Sequence, residues 1–244
     1  MSRPPRFFIS PEQVIDQHIT ISNEDVRHIV TVLRMKTGEE LLLCDGQGAE
    51  YRATIDQIGK AEVRTSIVSR STQDLRHPRI TLCQGLPKSD KMDWIVQKAT
   101  ELGAAEIVPL VTERTIVKVK DEEKRVTRWQ KICREAAMQS NRPDIPKVRD
   151  IQRFGNYLQT LAPGPGTLLL IPWEEGTEPI KNILRQSSGM RNILVLIGPE
   201  GGFSAAEAEM AKGRGFHAVS LGPNILRTET AAIAVLGMIG YEFL

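Results

Sequence analysis

Cysteine is scarce in this chain. Cys44, Cys83 and Cys133 are odd in number, far apart and never in a C-x-x-C spacing. Histidine is scarce too, with His18, His28, His77 and His217 equally scattered. These shortages exclude a disulfide framework and offer no ligand spacing for a metal, so a metal-free protein of the reducing cytoplasm is expected. No long hydrophobic run is present. The longest apolar stretch, "AAIAVLGMIG" (231–240), is too short to span a bilayer, and "MSRPPRFFIS" at the N-terminus lacks a signal-peptide core. No membrane partner is therefore expected. Nor does charge of one sign dominate. A net charge of +2 is too weak by itself to argue for nucleic acid, so any basic surface must come from local clustering.

What is present suits a soluble globular protein of one large or two smaller domains. Of 244 residues, 41% are hydrophobic and 25% charged, enough to bury a real core. Residues 1–72 read as mostly β. "HITI" (18–21), "ELLLCD" (40–45), "EYRATID" (50–56) and "AEVRTSIV" (61–68) are short strand-like runs with turns at "DGQG" and "IGK", as in a small barrel or sandwich. A helix over 23–33 interrupts them, capped by Asn23, with Val26, Ile29, Val30 and Leu33 as its apolar stripe. The polar "SRSTQDLRHPR" (69–79) reads as a linker. Residues 73–244 then alternate strand and helix, which implies an α/β fold with a parallel sheet covered on both faces. Pro109 within "EIVPLVT" (106–112) argues for an irregular or edge position in that sheet.

The most informative stretch is "LIGPEGGFS" (196–204). A glycine-rich turn between a strand and a helix commonly holds an anion, or is simply a tight turn. The helix that follows is well marked: Ser204 and Glu207 make a capping box and Phe203 a hydrophobic staple. Charge argues against a phosphate, because the turn carries Glu200 and no lysine or arginine. A neutral or zwitterionic ligand with a cationic centre suits it better, with Glu200 tying down loop N–H groups. "LGPNILRTET" (221–230) repeats the scheme of strand end, Gly-Pro turn and helix, with Thr228 as the expected N-cap. From Ala231 to Ile239 the helix is apolar nearly all round, so it must be buried on most sides, in a core or against another subunit.

Two Gly-Pro loops at consecutive strand ends, "LIGPEGGFS" and "LGPNILRTETAA", resemble the SPOUT superfamily of knotted S-adenosylmethionine-dependent RNA methyltransferases. Within it the chain is similar to the RsmE family of 16S rRNA uracil-N3 methyltransferases. The likeness extends over "RFF" (6–8), "HIVTVLRMKTGE" (28–39), "KMDWIVQKATELGAAEIVPLVTERT" (91–115) and "EAAMQSNRPDIPKV" (135–148). It implies a PUA-like β-barrel RNA-binding domain over 1–72. Over 73–244 it implies a SPOUT-like parallel sheet with a C-terminal trefoil knot, forming homodimers. Asn224 departs from the pattern, which more often has arginine there. The implied partner is 16S rRNA or the small ribosomal particle. Another RNA target, a non-catalytic RNA-binding module and a phosphotransferase remain as alternatives; the last lacks G-x-x-x-x-G-K-[ST].

The resemblance implies a cofactor site for S-adenosylmethionine made by Ile171, Pro172, Gly198, Pro199, Glu200, Gly201, Gly202, Leu221, Gly222, Ile225, Leu226, Arg227, Thr230 and Ala231. Trp173 is placed to border the adenine, or to serve the core or a subunit interface. Uracil N3 must lose a proton before it attacks a methyl group. Arg227 is the candidate cation for the resulting anion and Glu229 the candidate base, or a helix-start residue. Residues 113–153 hold twelve Lys/Arg against seven Asp/Glu, whereas residues 1–72 hold nine against ten. Arg6, Arg34, Lys36, Lys88, Lys91, Arg114 and Arg142 are the candidates for RNA contacts, the loop cations Lys88, Arg114 and Arg142 above the rest.

Overall fold

The structure, a computed structural model, describes residues 4–22, 24–72, 78–117 and 121–243. Asn23, expected as a helix cap, and residues 73–77 of the expected linker lie outside them. The chain forms two compact units, residues 1–74 with 137–145, and residues 75–136 with 146–244.

The first unit is built on β1 (Arg6–Phe8), β2 (Val14–Ile15), β3 (His18–Ser22), α1 (Glu24–Arg27), β4 (Glu40–Cys44), β5 (Ala49–Ile58) and β6 (Glu62–Thr72). Its sheet runs in the order β1-β4-β5-β6-β3-β2, antiparallel except for β1 beside β4. Alternate side chains point inward, as the two-residue strand period requires: Ile19 and Ile21, Leu41 and Leu43, Ala53 and Ile55 are all buried. Two register shifts between β5 and β6 mark bulges that bend the sheet around this core.

Two expectations need correction here. The residues Ser69–Thr72 are not linker but the end of β6, paired with Ala49–Arg52, because backbone pairing satisfies a polar stretch as well as an apolar one. The helical stripe is also cut short. His28–Val32 is wound as a π turn, with Leu33 N–H donating to His28 C=O. A wider turn breaks the 3.6-residue period, so Val26 and Ile29 stay inside while Val30 and Leu33 are 38% and 41% exposed. Residues 137–145 join this unit through Ala137, Met138 and Ile145, which pack with Phe8 and Cys44.

The second unit contains β7 (Arg79–Gly85), α2 (Lys91–Glu101), β8 (Ala104–Val111), α3 (Glu122–Gln139, all but its last three residues), β9 (Lys147–Val148), β10 (Gln152–Arg153) and α4 (Phe154–Thr160). There follow β11 (Thr167–Pro172), β12 (Glu178–Pro179), α5 (Ile180–Gln186), β13 (Asn192–Ile197), α6 (Ala205–Gly213), β14 (His217–Ser220) and α7 (Thr228–Phe243). All strand pairs are parallel, in the order β10-β8-β7-β13-β11-β14-β12, with β9 also beside β8. Both faces are covered, which is why the strands are continuously apolar. Cys83, Leu169, Ile171, Leu194 and Leu196 meet α4 and α6 on one face, while α7 packs on α2, α5 and β13.

Of the two positions expected for Pro109, irregular or edge, the structure shows the irregular one. On one side of β8, β9 pairs at Glu106–Ile107 and β10 at Leu110–Val111. The proline, which has no N–H to give, falls in the gap between them. Gly103, at φ +93°, closes α2 as the sequence suggests.

Candidate functional site

Three strands, β11, β13 and β14, end at one side of the sheet, where ligands of open parallel sheets gather. The turn after β13 is compact because its glycines allow backbone to meet backbone. A Cβ on Gly198 would lie 2.9 Å from Gly202 C and 3.2 Å from Phe203 N. One on Gly85, at the end of β7, would lie 2.6 Å from Pro199 Cδ. Gln84, fully buried, donates from Nε2 to Thr228 Oγ1 at 2.9 Å, and Thr228 Oγ1 donates to Gly198 O at 2.6 Å. Thr228 is therefore not the N-cap. Ala231 N–H donates to Arg227 C=O, placing Arg227 at the cap while the threonine hydroxyl ties α7 to the glycine turn.

The expected capping box of α6 is present. Ser204 N–H donates to Glu207 Oε2 at 3.0 Å, and Glu207 N–H donates to Ser204 Oγ at 3.3 Å. The loop after β8 locks onto it: Glu113 N–H donates to Glu207 Oε1 at 2.8 Å, and Ser204 Oγ donates to Glu113 Oε2 at 2.6 Å. Next to these, Arg114 Nη1 donates to Gly201 O at 2.7 Å.

Glu200 anchors the inner side of the turn. It accepts the Lys88 N–H at 3.0 Å and faces Lys91 Nζ at 3.2 Å. Burial opposes ionisation, but hydrogen bonds from its own backbone and from Lys88, with the Lys91 ammonium, hold its carboxyl below the usual range. Lys91 also lies 3.2 Å from Glu229, and the hydrogen bond to Glu200 leads the causes that raise its pKa.

These loops enclose a cleft of about 190 Å³. Of the residues expected to hold a cofactor, Pro172, Gly198, Pro199, Glu200, Gly202, Leu221, Gly222, Ile225, Leu226 and Ala231 line it. Ile171, Gly201, Arg227 and Thr230 do not. Ile171 is fully buried in the sheet core, and the Cβ direction of Gly201 points at the Arg114 side chain. Arg227 and Thr230 are exposed. The cleft is also lined by Trp173, Glu174, Ile197, Phe203, Ser220, Pro223, Asn224 and Thr228. Of these, Trp173 had a signal in the sequence, at the end of an apolar strand; Lys212 Nζ stands 5.0 Å over its ring. Gly222, at φ +131°, has open space where a Cβ would be, so its conformation rather than crowding calls for glycine. Glu229, with a side chain 16% exposed, is set back against Lys91.

The cations proposed for RNA divide sharply. Arg6 is spent inside the first unit, 2.7 Å from Glu50 and donating to Cys44 Sγ, with 8% of its side chain exposed. Arg142 is likewise paired with Asp144 at 2.7 Å and 14% exposed. Arg34 and Lys36 are exposed in the first unit. In the second, Lys88 is exposed, and among the described residues nothing pairs with its ammonium. Arg114 is exposed with most of its donors unspent.

Residues 75–240 match the family model of an RNA methyltransferase domain, and residues 21–68 that of an RNA methyltransferase PUA domain. The ribosomal RNA small subunit methyltransferase E of Bacillus subtilis (strain 168) is 34% identical, over 97% of this chain and 96% of that protein. Its counterpart from Synechocystis sp. is 34% identical, over 96% and 76%. The crystal structure of the Neisseria gonorrhoeae ribosomal RNA small subunit methyltransferase E bound to S-adenosyl methionine superposes with a TM-score of 0.86 at 33% identity, covering 98% of each chain. A Legionella pneumophila protein solved in complex with the same cofactor gives 0.85 at 33%, again covering 98% of each.

Proposed function

The chain belongs to the ribosomal RNA small subunit methyltransferase E family, and from that premise we propose that it methylates N3 of a uridine in 16S rRNA, in the cytoplasm, with S-adenosylmethionine as donor. The observation that carries the donor's identity is the lining of the cleft. It holds two carboxylates, Glu174 and Glu200, and no lysine or arginine. Such a lining repels a phosphate and suits a cation. Ile197, Phe203, Leu221 and Leu226 offer apolar surface to a purine, and the turns at Gly198, Gly202 and Gly222 leave their backbone bare for polar ligand groups. Bound there, the cofactor supplies a methyl group on a positively charged sulfur.

The protein's own residues must then make N3 nucleophilic and hold it in line. Arg227, exposed at the start of α7, would stabilise negative charge on the uracil oxygens as the proton leaves. Glu229 would receive that proton; a positioned base typically contributes ~10²–10⁴-fold. Lys88 and Arg114, both bonded to the glycine turn, would place phosphates near the cleft, and Arg34 and Lys36 would meet RNA from the first unit. The bent six-stranded sheet of that unit supports its reading as a PUA-like barrel.

Two architectural features belong to the same proposal. Strand β13 inserts between β7 and the earlier β11, β14 returns to the far side of β11, and α7 is tied back to Gly198. This order supports a C-terminal trefoil knot. The outer face of α7, with Gly237 and Tyr241 exposed, supports a homodimer.

The test is methylation of 16S rRNA and of small-subunit particles from cells lacking the gene, mapped by mass spectrometry, beside calorimetric titration with S-adenosylhomocysteine and with ATP. N3-methyluridine at one position and binding of S-adenosylhomocysteine alone are expected. Binding of ATP, or no methyl transfer to either RNA substrate, would overturn the assignment.

A further inference from the structure

Lys91 stands first in α2, and its sequence position groups it with the RNA-contacting cations. The structure commits its ammonium elsewhere. Nζ lies 3.2 Å from Glu200 Oε1 and 3.2 Å from Glu229 Oε2, with its side chain 33% exposed. The two carboxylates belong to different parts of the site. Glu200 lines the cleft on the turn after β13, and Glu229 sits in the first turn of α7. Three elements, α2, the glycine turn and α7, therefore meet on one ammonium. The Lys88 N–H, three residues earlier, donates to the same Glu200 carboxylate, so the start of α2 grips the turn at two points.

We infer that Lys91 is a positioning residue of the cleft: it fastens the turn carrying Glu200 to the helix start carrying Glu229, and it does not contact RNA phosphate. Charge decides between the two roles. One ammonium between two carboxylates makes a cluster of net −1, and a phosphate drawn to Lys91 would face both carboxylates at close range. Lys91 is charged at neutral pH in any case, and the hydrogen bond to Glu200 raises its pKa further. Without Lys91, Glu200 and Glu229 would repel one another and the turn would lose its tie to α7. The inference rests on the reading of the cleft as a cofactor site.

The experiment compares the full chain with Lys91→Met, Lys91→Arg and the pair Lys91→Met with Glu229→Gln. Each is measured for melting temperature, S-adenosylhomocysteine affinity by calorimetry, KM and kcat, and the salt dependence of RNA binding. Lys91→Met should raise the Kd for S-adenosylhomocysteine and the KM for the methyl donor by roughly 3–20-fold, the range expected for two partly exposed ion pairs. RNA affinity and its salt slope should be unchanged, and Lys91→Arg should recover most of the loss. The paired variant removes the carboxylate repulsion but not the missing tie, and it also removes the candidate base, so it is read by S-adenosylhomocysteine affinity alone: a raised Kd is expected there too where Lys91→Met alone does not fold. Unchanged cofactor affinity in a folded variant overturns the inference, as does a salt slope shallower by about one. A wild-type protein that takes up no S-adenosylhomocysteine overturns the cofactor reading itself, and the inference with it.

Discussion

At Gly198 there is no room for a methyl group. The added carbon would press on Gly202 and on the Phe203 N–H, which are backbone and cannot swing aside. Gly201, one turn position from the cleft, differs. Its added carbon would meet Arg114 Cβ at 3.2 Å and Cδ at 3.4 Å, a tight contact but a looser one than that at Gly198, relieved by a small shift of the exposed Arg114 loop. Gly198→Ala should therefore cost about 1–3 kcal/mol of stability by overpacking and abolish S-adenosylhomocysteine binding. Gly201→Ala should cost clearly less stability than Gly198→Ala and spare cofactor binding. Thermal melts with calorimetry decide it, and equal behaviour of the two variants would contradict this account of the turn. The sequence reading gives the two glycines the same role, because spacing says nothing about which way an absent side chain would point.

Helix α6 depends on a side chain beyond its own ends. Ser204 caps it, and the same hydroxyl reaches Glu113 in the loop after β8. Ser204→Ala removes the cap and leaves the Glu113 carboxylate without its donor. It should lower stability by about 1–2 kcal/mol, towards the top of the usual range for a lost cap. Because the Glu113 loop also carries Arg114, which holds Gly201 O, cofactor affinity should fall as well. Denaturant unfolding gives the first number and ligand titration the second. A loss of stability without a loss of affinity would show that the loop holds its place unaided.

For the molecule as a whole, the proposed assembly rests on α7. Ala232, Val235, Leu236 and Ile239 are buried by α7's own neighbours in the chain, so a charge at Ile239 would unfold the protein and report nothing on a dimer. Gly237 is exposed, with no atom within 4 Å of an added Cβ, and Tyr241 is 87% exposed. Gly237→Arg should leave the single chain folded, with a melting temperature close to that of the monomer, and shift light scattering from dimer mass to monomer mass at micromolar concentration. A wild-type protein that is monomeric and active at assay concentration would refute the dimer.

The sequence by itself determined the layout: β-rich residues first, then a strand–helix alternation, and a glycine turn opening a capped helix. Those features are local, set by hydrophobic period, turn chemistry and side-chain-to-backbone bonds within a few residues. It also pointed to a glycine turn without cations, since the absence of lysine and arginine from "GPEGG" is plain in the letters; that Arg227, expected in the same site, does not line the cleft came from the structure. Only the tertiary structure decided which cations are free. Arg6, Lys91 and Arg142 look like Lys88 and Arg114 in one dimension, yet Arg6 and Lys91 pair with carboxylates 44, 109 and 138 positions away, and Arg142 with one two positions on. Pairing, at long range for Arg6 and Lys91, and not residue type alone, sets the charge a surface presents. The same holds for Thr228, whose hydroxyl leaves its own helix for Gly198, and for Pro109, whose missing N–H is harmless because two short distant strands leave a gap beside it.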